Sequence, residues 1–332
     1  MMEGTDLALF FNKDSNLTYF SQAKPDYACL AMPANGKPIL FVPGFEAERI
    51  AKQATVEVVK TDRNVLEKVR ALYPARKIGV ISNQLTYANA QKIQKLWNAE
   101  LTDISAQCTR MRLVKNEEEI AKITKACAIT DHILQELCAK LPQYKTELDA
   151  ATFLKTRMSQ YGFEPSFPPI IATAGNAATP HHVPTHTKLN GFTVIDFGLI
   201  YKNYCSDITR TVFIGKPAER QKKVYARVLE VQEESIRKCK SGITLEEIDK
   251  EAHEKLGPEF IHKIGHSLGI EVHDVQPSPF EFEPNAITTV EPGVYLPKKY
   301  GIRIEDDILV TKKEPIVLTK TTKELISIRR KL

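Results

Sequence analysis

Five candidate metal ligands in the second half of this chain constrain its fold more than any other feature of the sequence. They are Asp196 in VIDFG, Asp207 in CSDITRT, His266 in IGHSLG, Glu291 in TTVEPGVY and Glu305 in GIRIED. A fold that gathers four carboxylates and one imidazole must offset their repulsion, because burying an unpaired carboxylate is costly. Two divalent cations that share carboxylates would do so and would activate water. The pattern therefore predicts a two-metal hydrolase site.

The length of the chain suits two domains, because 332 residues exceed what one small hydrophobic core needs. Residues 1–110 alternate strand and helix signals. The apolar runs at 28–33 and 38–43 flank a turn-like segment at 34–37, which predicts a β-hairpin. We expect a small α/β domain over 1–110 and a second domain over 111–332 that contains every candidate ligand.

The second domain is expected to be α+β, with strands dominating after about residue 166. Apolar residues at helical spacing predict one long amphipathic helix over 111–141, which Pro142 would end. The segments TELD at 146–149 and TLEE at 244–247 resemble capping boxes and predict the starts of two further helices.

Histidines are concentrated near the candidate ligands. His262 and His266 lie four residues apart in HKIGH, His273 follows in GIEVHD, and His181 lies in the loop-like GNAATPHHVPT. The HKIGH segment lacks the Glu of a helical HExxH motif and contains Gly265. A strand fits this segment better than a helix and would place both imidazoles on one face.

The composition argues against several classes of partner. The net charge of +5 is mild, and Lys and Arg are spread without an aromatic-interleaved basic stripe, so we expect no nucleic-acid partner. The N-terminal MMEGTDLALFFNKD has no basic region before its apolar stretch, and no apolar run reaches transmembrane length. The six cysteines form no CxxC pair. We therefore expect a cytoplasmic protein without a membrane partner.

The motifs taken together resemble the pita-bread metallopeptidases, which include Xaa-Pro aminopeptidase and Xaa-Pro dipeptidase (prolidase). The matching stretches are PPIIATAGNAATPHH, VIDFG, YCSDITRTVFIG, GHSLGIEVHD, TVEPGVY and GIRIEDD, in the order and spacing of the family. The N-terminal α/β domain is similar to the creatinase type. The resemblance implies a creatinase-like N-terminal α/β domain followed by an α+β pita-bread catalytic domain.

The resemblance also implies a role for each candidate ligand. Asp196 would chelate the first metal ion, and Asp207 and Glu305 would bridge both ions. His266 and Glu291 would bind on opposite sides of the pair. Glu291 would also take the proton from a metal-bound water, whose pKa two divalent cations lower toward neutrality.

Four further residues receive roles from the same resemblance. His262 and His273 would stabilise the oxyanion or pass a proton to the leaving proline nitrogen. His181 would line the substrate subsite. Arg303 would orient the bridging carboxylate of Glu305.

The chemistry of the ligands narrows the choice of metal. Hard oxygen ligands with one imidazole and no thiolate favour Mn²⁺ or Co²⁺, with Fe²⁺ and Zn²⁺ as further candidates. The family commonly forms homodimers, so the resemblance also implies a homodimer.

The expected substrate is a peptide that contains proline. Prolidases often carry an Arg shortly after a GLEVHE-like motif, but Gln276, Pro277 and Ser278 stand there in this chain, and Glu281 and Glu283 add negative charge. We therefore expect a Xaa-Pro aminopeptidase acting on the N-terminus of longer peptides, with a Xaa-Pro dipeptidase as the alternative.

Other pita-bread proteins fit the sequence less well. Creatinase shares the fold but not the metals, and methionine aminopeptidase normally lacks the N-terminal domain. A non-catalytic pita-bread scaffold is a third alternative, although such proteins typically lose metal ligands and all five are present here.

Overall fold

Separate hydrophobic cores lie in two parts of the chain, Met1–Arg112 and Leu113–Leu332, in this computed structural model. The structure describes residues 4–62 and 64–329. Within those ranges, no helix combines the length and the apolarity needed to cross a lipid bilayer. All five candidate ligands belong to the second unit.

The N-terminal unit contains a mixed β-sheet with helices around it. Its strands are β1 (Leu7–Phe11), β2 (Cys29–Pro33), β3 (Ile39–Pro43), β4 (Glu57–Thr61), β5 (Lys77–Val80) and β6 (Glu100–Asp103). Its helices are α1 (Ser15–Ser21), α2 (Ala47–Ala51), α3 (Val65–Leu72), α4 (Tyr87–Trp97) and α5 (Ser105–Leu113). The strand order is β4-β3-β2-β1-β5-β6.

Both faces of this sheet are buried, which explains its continuous apolar runs. In β1, Leu7 and Leu9 join a core that includes residues of α3 and α4, whereas Ala8 and Phe10 join a core that includes residues of α1 and α2. The hairpin predicted from 28–33 and 38–43 is confirmed, because β2 and β3 pair antiparallel. Strand β1 was not predicted, although it is central to the sheet.

The C-terminal unit begins with two helices and continues with several small sheets. Its helices are α6 (Glu117–Lys140), α7 (Glu147–Gln160), α8 (Glu219–Lys238) and α9 (Leu245–Leu256). Its strands are β7 (Glu164–Pro165), β8 (Ile170–Thr173), β9 (Gly191–Phe197), β10 (Leu199–Tyr201), β11 (Tyr204–Cys205), β12 (Ile208–Ile214), β13 (Ile287–Val290), β14 (Gly293–Leu296), β15 (Tyr300–Arg303), β16 (Asp306–Leu309), β17 (Ile316–Val317) and β18 (Ser327–Ile328). Short 3-10 helices cover Leu141–Gln143, Ala174–Ala178 and Gly257–Glu259.

Four sheets organise these strands, in the orders β18-β12-β9-β8, β11-β10-β7, β13-β16-β17 and β14-β15 among the described residues. The antiparallel pair β9 and β12 is the longest. Ile195 and Phe197 of β9 pack in a core with residues of α6 and α7. Val194 and Asp196 point to the opposite face, because side chains alternate along a strand.

The prediction of one helix over 111–141 is wrong at its start. Helix α5 ends before Asn116 and α6 begins after it. The side chain of Asn116 accepts a hydrogen bond from the Glu119 backbone N–H at 3.0 Å, and the Glu119 carboxylate accepts one from the Asn116 N–H at 2.9 Å. This capping box starts a new helix inside a stretch whose apolar periodicity continues. The capping boxes predicted at 146–149 and 244–247 are confirmed.

The prediction of a strand at HKIGH is also wrong, because residues 260–266 form irregular backbone. Gly265 passes so close to the chain at Thr289 that an added Cβ would lie 2.1 Å from the Thr289 carbonyl oxygen. The Ile264 N–H donates to Asp249 Oδ1 at 2.7 Å. The carbonyl oxygens of Ile264 and His266 accept hydrogen bonds from the backbone N–H groups of Glu291 and Thr289 at 2.7 and 2.8 Å, so the segment is held beside β13 without forming a regular strand.

Candidate metal centre and substrate cavity

A cavity of about 560 Å³ lies in the C-terminal unit, and all nine residues that the sequence singled out line it. The candidate metal ligands among them are Asp196, Asp207, His266, Glu291 and Glu305. The other four are His181, His262, His273 and Arg303. The volume is in the range of small-molecule sites, roughly 300–1,000 Å³.

The two aspartates are brought together by the pairing of β9 with β12. Asp196 lies near the end of β9 and pairs with Thr209, whereas Asp207 directly precedes β12. The Asp207 backbone N–H donates to the buried Asp307 carboxylate at 2.9 Å, and the Cys127 thiol donates to the same oxygen at 3.2 Å. Asp307 therefore fixes the backbone from which the Asp207 carboxylate projects.

The two glutamates lie where strands are interrupted. Glu291 directly follows β13, and Glu305 separates β15 from β16. Val290 pairs with Asp306 in one ladder, and Gly293 pairs with Arg303 in the next. The interruption between β13 and β14 therefore lies opposite the interruption between β15 and β16. Both glutamates lie at these interruptions and line the cavity.

His266 stands between carboxylates at distances that suit a shared cation. Its Nε2 lies 3.7 Å from Asp207 Oδ2 and 3.6 Å from Glu291 Oε1, and ligand atoms of Asp207, His266 and Glu305 all lie within 4.8 Å of one another. Two atoms that each bind an ion at about 2.1 Å are separated by roughly 3–4 Å. Nδ1 of His266 donates to the Ser267 carbonyl oxygen at 3.1 Å, which leaves a lone pair on Nε2.

The carboxylates of the candidate metal centre are buried, and some of their oxygens lack hydrogen-bond partners. Asp196 Oδ1 and Asp207 Oδ1 are buried and have no hydrogen-bond partner. Burial raises the pKa of Asp207 and of Glu305 well above the usual range, and the neighbouring carboxylates raise both further. Burial also raises the pKa of Glu291 to about 8. Divalent cations would bind the carboxylate oxygens that lack hydrogen-bond partners and would stabilise the charged form of these acids. The residues present therefore fit a metal centre.

Arg303 donates hydrogen bonds to three side chains at the candidate metal centre. Its guanidinium donates to Asp196 Oδ2 at 2.5 Å, to the Tyr295 hydroxyl at 2.9 Å and to Thr209 Oγ1 at 3.1 Å. Thr209 in turn donates to Glu305 Oε2 at 2.7 Å. The family resemblance implied that Arg303 orients Glu305, but the carboxylate that Arg303 contacts directly is that of Asp196, and Arg303 reaches Glu305 through Thr209. Thr209 lies two residues after Asp207, a strand spacing that signals a shared face.

His262 joins the same network through Tyr295, a residue that the sequence analysis missed. His262 Nδ1 donates to the Lys263 carbonyl oxygen at 2.8 Å. Burial lowers the pKa of His262 to about 4, so the ring is neutral at pH 7 and its Nε2 accepts from the Tyr295 hydroxyl at 2.7 Å. Tyr295 lies in β14 without a local pattern that marks it. Only the cross-strand pairing of β14 with β15 brings it beside Arg303.

Glu147, at the start of α7, is a second residue that the sequence analysis missed. It is fully buried and accepts hydrogen bonds from the backbone N–H groups of Thr173 and Thr185, both at 2.9–3.0 Å. It also contacts Asn176 Nδ2 at 3.0 Å and His182 Nε2 at 2.9 Å. Burial would raise its pKa, but the hydrogen bonds together outweigh burial and lower it. Glu147 thus holds the loop that presents His181 to the cavity.

Replacing Glu147 with Gln is expected to lower the free energy of unfolding by roughly 1–3 kcal/mol, because the amide NH₂ would face a buried N–H donor in either orientation. Loosening the loop should also raise KM more than it lowers kcat. Urea unfolding and steady-state kinetics would measure both effects. Glu233→Gln, the same change at an exposed position of α8, is the control. An unfolding free energy equal to that of the control would contradict the role of Glu147.

Residues 121–312 match the profile of metallopeptidase family M24, which spans more than half of the chain. The chain belongs to metallopeptidase family M24. It is therefore a hydrolase of a family that uses divalent metal ions. Residues 2–114 of this M24 peptidase match the creatinase/prolidase N-terminal domain.

Relatives of this M24 peptidase match nearly its whole length. A Xaa-Pro dipeptidase from Pyrococcus horikoshii is 34% identical in an alignment that covers 96% of this chain and 94% of the relative. The structure of a Xaa-Pro dipeptidase from Bacillus anthracis is 30% identical, with a TM-score of 0.89, and the match covers 98% of this chain and 96% of that chain. The structure of an X-Pro aminopeptidase from Thermotoga maritima is 29% identical, with a TM-score of 0.90, and the match covers 98% of each chain.

These similarities confirm the predicted family and fold class of the M24 peptidase. The fold consists of a creatinase-type N-terminal α/β domain and an α+β pita-bread catalytic domain. They also confirm the prediction of a metallopeptidase.

Proposed function

We propose that this M24 peptidase hydrolyses Xaa-Pro dipeptides with the aid of two divalent cations. The cluster of buried, partnerless carboxylate oxygens beside His266 carries the proposal of a metal centre. The names of the relatives support the dipeptidase alternative better than the aminopeptidase that the sequence analysis favoured.

The five acidic and imidazole side chains would hold the cations. We propose that Asp196, Asp207, His266, Glu291 and Glu305 would hold them. When bound, the cations would lower the pKa of a water molecule and neutralise charge that develops on the scissile carbonyl. Mn²⁺ and Co²⁺ remain the proposed ions on the basis of the hard ligand set.

Residues of the chain would then move protons and orient groups at the site. The Glu291 carboxylate would take the proton of the attacking water, since it lies on the cavity wall within 3.6 Å of His266 Nε2. Tyr295 and His262 form a directed hydrogen-bond chain from Arg303, which would keep Asp196 oriented and the His262 ring fixed beside the substrate.

His273 and His181 would contact the substrate itself. The rings of His273 and His266 lie edge to face with centroids 4.2 Å apart, so His273 is in contact with a candidate metal ligand. We assign His273 to the oxyanion or the leaving nitrogen, together with His262, and His181 to the wall of the substrate subsite.

The apolar walls of the cavity suit a proline ring. Phe167, Pro168, Ile170, Pro180 and Val183 line it. A proline residue presents no N–H at the scissile bond and a ring with fixed φ, so an apolar wall can bind it without leaving a buried polar group unpaired.

Cleavage of matched peptides tests this proposal. Protein loaded with Mn²⁺ or Co²⁺ should cleave Ala-Pro with at least about tenfold higher kcat/KM than Ala-Pro-Ala, because a free carboxylate next to the scissile bond would gain a charge-assisted contact. Ala-Ala and a chelator-treated sample are the controls. A preference for Ala-Pro-Ala would favour the aminopeptidase, and cleavage of neither peptide by metal-bound protein would favour the non-catalytic scaffold.

The homodimer implied by the family resemblance remains a prediction, and sedimentation can measure the oligomeric state.

A further inference from the structure

Positive charge near the cavity is scarce, and its position bears on the substrate. The carboxylate of a Xaa-Pro dipeptide is attached to the residue that follows the scissile bond, so it must lie inside or at the edge of the cavity. In the part of the chain that the structure describes, the cationic residues other than histidine that line the cavity are Arg303, Lys155 and Lys263. One or more of them would have to neutralise that carboxylate.

Arg303 is not available for this role. It is buried, and its three donor groups are directed at Asp196, Tyr295 and Thr209. Turning it toward a substrate carboxylate would leave Asp196 buried without its cationic partner, which is costly.

Two of the histidines that line the cavity are held by other side chains. His262 Nε2 accepts a hydrogen bond from the Tyr295 hydroxyl at 2.7 Å, and burial lowers the pKa of its ring to about 4. His182 also lines the cavity, but its Nε2 is held by the Glu147 carboxylate at 2.9 Å.

The segment that carries an Arg in many prolidases is used differently here. The Gln276 side-chain oxygen accepts a hydrogen bond from the Ser267 backbone N–H at 3.0 Å, directly beside His266. Gln276 thus supports the backbone of the metal-binding segment. Glu281 and Glu283, which add negative charge to this segment, are not among the residues that line the cavity.

Lys155 and Lys263 remain, and both project from anchored backbone. Lys155 lies on α7 directly after the fully buried Leu154. The Lys263 carbonyl oxygen accepts the hydrogen bond from His262, and the next residue, Ile264, is fully buried. Both lysine side chains are exposed, and neither ammonium group has a hydrogen bond or an ion pair with any residue in 4–62 or 64–329.

We infer that Lys263 and Lys155 form the subsite that binds the free α-carboxylate of the dipeptide, an inference that rests on the proposed dipeptidase function. Two flexible ammonium groups at the cavity edge would replace the Arg that this chain lacks. They select a substrate whose chain ends after proline, because a longer peptide or an amide has no negative charge at that position.

The test compares Ala-Pro with its C-terminal amide, which differs in the charge of one group. Wild-type protein should show about tenfold higher kcat/KM for the acid than for the amide. Lys263→Met and Lys155→Met should each lower the acid-to-amide ratio of kcat/KM, through the KM for the acid, and the double variant should bring the ratio close to one. Lys263→Arg should largely restore the ratio, because it keeps the charge.

The controls separate this inference from the function on which it rests. Lys223→Met removes an exposed lysine of α8 outside the cavity and should keep the wild-type ratio. Thermal unfolding should show that each variant is folded. An unchanged ratio in the double variant, or equal losses on acid and amide, would overturn the lysine subsite while the dipeptidase function stands. Failure of the wild-type protein to cleave either compound would overturn both.

Discussion

Glu291→Gln is expected to lower kcat for Xaa-Pro dipeptides by roughly 10²–10⁴-fold, the usual contribution of a positioned proton acceptor. The amide keeps the shape of the side chain but cannot take a proton from water. It is also a weaker metal ligand, because it is uncharged. Steady-state kinetics over a titration of Mn²⁺ would separate the two effects: a loss that persists at saturating Mn²⁺ indicates a proton acceptor, and full recovery indicates a ligand alone.

A matched control is Glu254→Gln, which makes the same change at an exposed position of α9 and should leave turnover unchanged. Full activity of Glu291→Gln at every metal concentration would show that Glu291 has neither role. Metal content of the purified variants would show whether the centre still fills.

Removing the metal is expected to make the stability of the protein strongly dependent on pH. The folded-state pKa of Glu291 is raised from 4.5 to about 8, and the pKa values of Asp207 and Glu305 are also raised. Between pH 4.5 and about pH 8, the metal-free folded state therefore binds more protons than the unfolded state. Its free energy of unfolding should therefore fall as pH rises from about 4.5 to 8, by up to about 1.4 kcal/mol per pH unit for each proton.

Urea unfolding in chelator and in Mn²⁺, from pH 5 to pH 8, would measure this dependence. Bound cations favour the ionised carboxylates and stabilise the folded state, so the two curves should diverge as pH rises. Metal-free Glu291→Gln should show a shallower slope than the wild type, because it lacks one of the titrating groups, whereas Glu254→Gln should keep the wild-type slope. Equal slopes with and without metal would show that the cluster does not hold cations.

The candidate ligands could be predicted because each lies in a short motif whose local pattern is informative. An acid among apolar strand residues, such as Asp196 between Ile195 and Phe197, is unlike a solvated surface acid. Strand alternation also predicts that Arg303 and Glu305 share a face, and both line the cavity.

The predictions from apolar spacing failed where a close packing contact or a capping hydrogen bond overrides that spacing. The HKIGH segment has a spacing that suits a strand, but Gly265 packs against the chain at Thr289 and the segment stays irregular. The helix over 111–141 continues its apolar periodicity through Asn116, whose side chain nevertheless starts a new helix. Apolar periodicity does not register the hydrogen bonds of a cap.

The sequence by itself determined the class of chemistry, because acids and histidines in apolar strand-like motifs indicate a buried cluster whose charge divalent cations would offset. It also determined the two-domain α/β and α+β organisation through its apolar patterns. Only the tertiary structure decided which of those groups contact each other. Arg303 donates to Asp196, which is 107 positions earlier in the sequence, and Thr209 donates to Glu305, which is 96 positions later. The tertiary structure likewise placed Lys155 and Lys263 on one cavity. Such contacts depend on the path of the whole chain, and no local spacing encodes them.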